Sequence, residues 1–292
     1  MNGRNNYQLF SRALSENATE RFILENGLKS ALSNEEMFLV YQLEAETVSG
    51  RITGIEVLLA GVMPNWVSFP LTSSYRLQRA RVSLFRSENG CFEPHVGRRG
   101  NGRMKVLPPL QIAVNVSPIQ LRQRDFVQSV KKALDETGLL AEFLELELTE
   151  GIIVSTPEVV GVLRELKEMG LALAIDDFGT GHSNLSYLRQ FPVHKLKIDR
   201  SFLRDVPMNR DNTAITSTII GVARSLDLKV IAEGVETEEQ LAFLRSHRCD
   251  EFQGYYFSRP LPVDEFTAAL CRCVTAARRE TDTRCAFKAY SY

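Results

Sequence analysis

From about Gln111 onward the chain repeats one pattern, a short apolar, β-branched run followed by ten to twenty residues of helical periodicity, and that pattern restricts the fold more than any other feature. The runs are Gln111 to Ser117, Phe143 to Glu150, Leu171 to Phe178, His194 to Arg200, Lys229 to Val235 and Glu251 to Phe257. Amphipathic stretches lie between them, among them Pro157 to Met169 and Thr237 to Arg248. Strands that alternate with helices build a parallel sheet. Upstream, Met37 to Leu43 and Ile52 to Leu59 supply two more strands, and the turn at Ser49-Gly50 is short enough to make that pair antiparallel. Eight strands over roughly 240 residues is the size of a closed α/β barrel. An open doubly wound sheet would call for a Gly-rich phosphate turn after an early strand, and the sequence has none.

Composition narrows the function classes. The chain has 292 residues, with 35 Lys+Arg against 36 Asp+Glu, so no global field favours nucleic acid or an anionic membrane as partner. The longest apolar stretch, near Leu58 to Leu71, is broken by Pro64, Asn65, Ser68 and Pro70, and the N-terminus lacks the apolar core of a secretory signal. Five cysteines without a CxxC pair fit a reducing compartment. A cytoplasmic protein is expected, with neither membrane nor nucleic acid as partner.

Strand ends then point to chemistry. Glu56, Asn115, Glu147, Asp176 with Asp177, Lys197, Glu233 and Gln253 fall at or near the C-terminal ends of seven strands, and a barrel gathers those ends at one mouth. Any one such residue is compatible with an ordinary loop cap; seven at corresponding places are not. Several carboxylates at a mouth of low dielectric repel one another unless cations sit between them. Oxygen ligands without His or Cys suit Mg²⁺ or Mn²⁺, and the adjacent Asp176-Asp177 can share two ions, the usual apparatus for in-line displacement at phosphorus.

These same residues carry a family resemblance. Glu56-Val57-Leu58-Leu59, Asn115-Val116-Ser117, Glu147-Leu148-Thr149-Glu150, Asp176-Asp177-Phe178-Gly179-Thr180-Gly181, Lys197-Ile198-Asp199, Ala232-Glu233-Gly234-Val235-Glu236 and Gln253-Gly254-Tyr255 resemble the signature motifs of EAL-domain cyclic di-GMP phosphodiesterases, in the family's order and near its spacings. The match runs from about Leu32 to Leu270, one internal segment excepted. It implies a modified (β/α)8 barrel with one antiparallel strand that hydrolyses cyclic di-GMP to linear pGpG with two Mg²⁺ or Mn²⁺ ions. Carried over by position, Glu56, Asn115, Glu147 and Asp176 resemble first-metal ligands, with Asp176 bridging and Asp177 on the second ion. Lys197 resembles the residue that orients the attacking water, Glu233 a general base or further metal contact, and Gln253 a water or substrate contact. Gln42, Leu58 and Glu236 match substrate-binding positions. Glu150 resembles the glutamate that steadies the Phe178 to Asn184 loop, in which Gly179 and Gly181 permit a tight turn. His182 and Asn184 stand where the family usually has Tyr and Ser. The resemblance further implies a homodimer.

Residues Ala60 to Leu107 break the pattern. They hold eight basic and two acidic residues, follow no helical period and contain the breaker run Gly97 to Gly102, so an irregular segment is expected. The family's proline-bearing loop and two helices cannot be recognised there, although the spacing from Glu56 to Asn115, 59 residues, is close to the family's. Retained length with lost sequence is the pattern that two compensating frameshifts produce. Ala60 stands where the motif Glu-x-Leu-x-Arg has arginine, and Leu43 where Tyr-Gln-Pro has proline. The arginines lack interleaved aromatics, which weakens a nucleic-acid reading. Gly3 to Phe10 resembles the last strand of a GGDEF domain and Ala18 to Asn34 its linker helix. The expected organisation is therefore a GGDEF remnant and linker over 1–30, an EAL barrel over 31–275 and a polar tail over 276–292, with a GGDEF or sensor domain lost or encoded separately. Two functional readings stand: a phosphodiesterase, impaired by the changes at Ala60 and beyond, or a catalytically inactive EAL domain serving as cyclic di-GMP receptor or protein-interaction module. A poorly folded product is the third outcome that the altered segment allows.

Overall fold

The computed structural model describes residues 37–63, 66–70, 110–153, 157–181, 188 and 190–277. Ten strands occur among them: β1 (Met37–Glu46), β2 (Ile52–Met63), β3 (Trp66–Pro70), β4 (Gln111–Val116), β5 (Leu144–Thr149), β6 (Ala172–Phe178), β7 (Lys195–Ile198), β8 (Lys229–Ala232), β9 (Glu251–Phe252) and β10 (Leu261–Pro262). The chain divides into two compact units. In one, residues 1–39 and 59–75, the end of β2 pairs antiparallel with β3, Ala60 opposite Pro70 and Met63 opposite Trp66. Regular strand pairing thus extends to Pro70, into the stretch expected to be irregular. The GGDEF-like start, the remainder of that stretch from 71 to 107, His182, Asn184 and the tail beyond 277 lie outside the described residues.

The other unit, residues 40–58 and 76–292, holds the barrel. The strands run in the order β1-β9-β8-β7-β6-β5-β4-β2, and β2 closes back onto β1. All neighbours from β2 through β9 are parallel, whereas β1 meets β9 antiparallel, so one strand of eight is reversed, as the short turn at Ser49-Gly50 predicts. The tenth strand pairs antiparallel with the first half of β1, Val40 opposite Pro262 and Tyr41 opposite Leu261.

Alternation along the strands sorts the residues between two environments. Leu144, Leu146 and Leu148 of β5, Leu173 and Ile175 of β6 and Leu196 and Ile198 of β7 join the buried apolar cluster. Helices cover them: Phe126–Thr137 through Val127, Val130 and Leu134, Pro157–Glu168 through Val159, Leu163 and Leu166, and Arg210–Ser225 through Ile219 and Ile220. Burying a side chain of this size contributes about 1.5 to 3 kcal/mol. Intervening residues, Glu145 and Glu147, Ala174 and Asp176, Lys195 and Lys197, therefore line the barrel interior and are buried as well.

Local signals set the helix ends. Ser117 and Gln120 make a capping box at Pro118–Leu121, Thr237 and Gln240 another at Glu238–Ser246, and Asn209 accepts from the N–H groups of Asp211 and Asn212. The run from Glu251 to Phe257 forms strand only at its first two residues. At Gly254 the backbone passes so close to Val235 that an added Cβ would lie 2.2 Å from the Val235 carbonyl oxygen, and the chain turns there instead of extending. No helix among the described residues is long and apolar enough to cross a membrane.

Candidate active site at the barrel mouth

Lys197 is the centre of the mouth. Its side chain is fully buried, with Nζ 2.6 Å from Glu147 Oε1, 2.7 Å from Glu233 Oε1, 3.5 Å from Glu56 Oε2 and 3.8 Å from Asp176 Oδ1. One ammonium therefore faces four carboxylates. Burial alone would drive Lys197 toward neutrality, but Glu147, Glu233, Glu56 and Asp176 outweigh it and hold the ammonium well above its ordinary range.

Glu56 is tied from three sides. Asn115 Nδ2 donates to its Oε1 at 2.8 Å, Gln253 Nε2 donates to its Oε2 at 2.7 Å, and Lys197 completes the set. Burial opposes its charge, yet Lys197 together with hydrogen bonds from Gln253, Glu147 and Asn115 prevails and holds the carboxyl below its usual value. Gln253 Nε2 also donates to Gln42 Oε1 at 2.9 Å, and Gln42 Nε2 donates to the Ser258 carbonyl at 3.1 Å. This amide relay fastens the reversed strand β1 to the segment after β9.

Asp176 and Asp177 reach the same place because β6 is irregular at its end. Successive strand residues normally point to opposite faces. Here the register shifts between Ile175 and Phe178, and Asp177 takes a left-handed φ of 54°. One carboxylate oxygen from each of Asp176, Asp177 and Glu233 then lies within 4.8 Å of the others. Burial, with Asp176 and Asp199 nearby, pushes Asp177 up to about 7. Burial likewise raises Asp176, Glu147 and Glu233 against the pull of Lys197.

A divalent cation bound at this cluster would compete with the proton on Asp177. We expect Mn²⁺ affinity, measured by calorimetry, to rise between about pH 6 and 8 as Asp177 gives up its proton, with protons released to buffer; a flat profile would refute this. The stability sign is opposite. With its folded value above the ordinary 3.8, Asp177 binds more proton in the metal-free native state than in the unfolded chain, so its contribution to stability is lost as pH climbs from about 4 through 7.

The segment after Phe178 is fixed by Glu150. Its Oε2 accepts the N–H of Gly179 at 3.0 Å and of Gly181 at 3.2 Å. Gly179 has φ 98°, and an added Cβ there would stand 2.9 Å from the Phe202 ring, so both conformation and space require glycine. Glu150→Ala would leave two peptide N–H groups without that acceptor. A loss of about 1 to 3 kcal/mol in unfolding free energy is expected, read as a lower urea midpoint, and an unchanged midpoint would count against the contact.

Of the sequence-predicted site residues, Glu56, Asn115, Glu147, Asp176, Asp177, Lys197, Glu233, Gln253 and Gln42 come together at the mouth. Leu58 is buried two residues beyond Glu56 on the same face of β2. Glu236 is exposed, its peptide N–H given to Gln240 Oε1, and its side chain is not drawn into this cluster. Sequence reasoning passed over a second buried ionic layer, Glu44, Glu145, Lys195 and Glu251, deeper in the barrel. The Glu-x-Glu of β5 and the Lys-x-Lys of β7 signal it, since residues two apart share a face.

The mouth presents oxygen donors, carboxylates and side-chain amides, which suits hard divalent cations. A family model described as EAL domain matches residues 25–260. The cyclic di-GMP phosphodiesterase NbdA of Pseudomonas aeruginosa is 38% identical over 271 residues, covering 91% of this chain and 35% of that protein. A solved structure of the PaMucR phosphodiesterase in complex with c-di-GMP is 30% identical with TM-score 0.67, over 82% of this chain and 98% of that one. A manganese and cyclic di-GMP complex of Klebsiella pneumoniae BlrP1 is 27% identical with TM-score 0.62, over 77% of this chain and 56% of that one. The chain spans about a third of the length of the curated relatives it matches.

Proposed function

Because the chain belongs to the EAL-domain family, we propose that it hydrolyses one phosphodiester bond of cyclic di-GMP to give linear pGpG, using two Mg²⁺ or Mn²⁺ ions. The observation that carries this reading is the convergence of Glu56, Asn115, Glu147, Asp176, Asp177 and Glu233 around the Lys197 ammonium at the barrel mouth. Glu56, Asn115, Glu147 and Asp176 would hold one ion, and Asp176 with Asp177 the other. Bound there, the ions supply charge neutralisation at the phosphate and a more acidic water.

The chain's own groups do the rest. Lys197 Nζ carries donors that can orient the attacking water in line with the scissile P–O bond. Glu233 Oε1, 2.7 Å from that ammonium and raised in proton affinity by burial, would take the water's proton as the new P–O bond forms, while the old P–O bond breaks and the leaving sugar oxygen is protonated from solvent. Gln253 and Gln42 fix the position of Glu56, and Leu58 and Glu236 are assigned to substrate contacts. Hydrolysis of cyclic di-GMP by the purified chain with Mg²⁺ or Mn²⁺, against a chelated control, tests the proposal; folded protein that yields no pGpG would defeat it.

A second reading rests on Ala60. A guanidinium missing from that position removes a charge-assisted contact of about 1.5 to 3 kcal/mol, roughly a tenfold to hundredfold loss of affinity. Binding of cyclic di-GMP without turnover would favour an inactive receptor. The same proposal places the chain in the cytoplasm as a homodimer, divided as 1–30, 31–275 and 276–292, with 60–107 altered by frameshift and a GGDEF or sensor domain acting with it.

A further inference from the structure

Beneath the mouth lies a second ammonium-centred cage. Lys195 Nζ stands 3.0 Å from Glu251 Oε2, 3.2 Å from Glu145 Oε1 and 3.4 Å from Glu44 Oε2, with all four side chains buried. Three carboxylates face one ammonium there. His194 Nε2, 3.3 Å from Glu145, and Lys229 Nζ, 4.0 Å from Glu251, stand at its outer edge.

Glu44 is the link between this cage and the mouth. Its carboxylate, with those of Glu145 and Glu147, forms a group whose nearest oxygens all lie within 4.8 Å of one another, and Glu147 is the residue that holds Lys197 above. Oε2 of Glu44 is engaged by Lys195, while its buried Oε1 has no hydrogen-bond partner. Space for it is made on the neighbouring strand, where a Cβ at Gly54 would stand 2.5 Å from Glu44 Oε2. Carboxylates within 4.8 Å repel one another, and Glu147 meets its counter-charge on the other side, where Lys197 Nζ stands 2.6 Å away at the mouth.

We propose that Glu44, anchored on Lys195 and admitted by Gly54, is a positioning residue that keeps the Glu147 carboxylate turned up toward the cation position. This role rests on the metal-dependent reading given above. In Glu44→Gln the repulsion would vanish, and the new amide would offer Glu147 a hydrogen bond from below and draw it away from the mouth.

Calorimetric Mn²⁺ binding to the full chain at pH 8.5 tests the role. Loss of an outer partner of a metal ligand typically costs tenfold or more, so Glu44→Gln is expected to bind Mn²⁺ about tenfold more weakly than wild type. Glu44→Asp, which keeps the charge, should recover to within about threefold. Gly54→Ala should weaken binding although Glu44 is intact, because the added methyl displaces it; this variant also serves if Glu44→Gln does not fold. Wild-type affinity in folded Glu44→Gln, or equal losses in the Gln and Asp variants, would overturn the role. Absence of Mn²⁺ binding by the wild-type chain would instead overturn the metal-dependent reading itself, and the role with it.

Discussion

Metal-free Lys197→Met is expected to be less stable than the wild-type chain by about 3 to 5 kcal/mol, because deleting one partner of a buried ionic cluster leaves the others uncompensated. Glu147, Glu233, Glu56 and Asp176 all face that ammonium within 3.8 Å, and nothing positive replaces it in the variant. At roughly 2 to 4 °C per kcal/mol for a domain of this size, the melting temperature should fall by about 10 °C. The carboxyls can relieve the penalty by binding protons, so the deficit should be smaller at pH 5.5 than at pH 8. Added Mn²⁺ should restore part of it. A metal-free variant that melts within 2 °C of wild type at pH 8 would show that the cluster does not depend on Lys197.

The second large effect is on turnover. Glu56→Ala is expected to lower pGpG formation by about a thousandfold or more, roughly 4 kcal/mol of transition-state stabilisation. Glu56 is proposed as a cation ligand, and it is also the acceptor on which Asn115, Gln253 and Lys197 are organised, at 2.8, 2.7 and 3.5 Å. Its removal leaves two amides without that acceptor and the ammonium without one counter-charge, so the loss should fall mainly on kcat. Turnover within tenfold of wild type, measured by chromatographic separation of pGpG, would remove Glu56 from the proposed centre.

Much of the site was legible because barrel geometry converts one-dimensional position into three-dimensional proximity. Glu147, Asp176 and Lys197 lie near the ends of parallel strands, and once those strands are parallel neighbours their ends must meet. The antiparallel pairing of β1 followed from a turn too short for a crossover. Other features were hidden. Asp176 and Asp177 are adjacent, and simple alternation would send them to opposite faces; their approach needs the left-handed φ at Asp177 and the register shift of β6. The run after Glu251 has the composition of a strand, but the close approach of Gly254 to Val235 ends it after Phe252.

The amino-acid sequence by itself determined the family, the order of the eight barrel strands, and the residues able to meet at the mouth, because hydrophobic period and motif spacing are properties of the chain alone, whereas β3 and β10 were not read from it. Tertiary structure decided which face of each strand became the interior. The repeat Leu144-Glu145-Leu146-Glu147-Leu148 is compatible with glutamates in solvent and leucines in a core. Closure of β2 onto β1 and the helices outside decided otherwise, placing the leucines under helices and the glutamates in the barrel. Only then did Lys195 and Lys197 find carboxylates on strands more than a hundred residues away in sequence, Glu44 and Glu56 among them. A two-residue period says which side chains share a face; only the closed barrel makes that face a buried one whose charges must be matched.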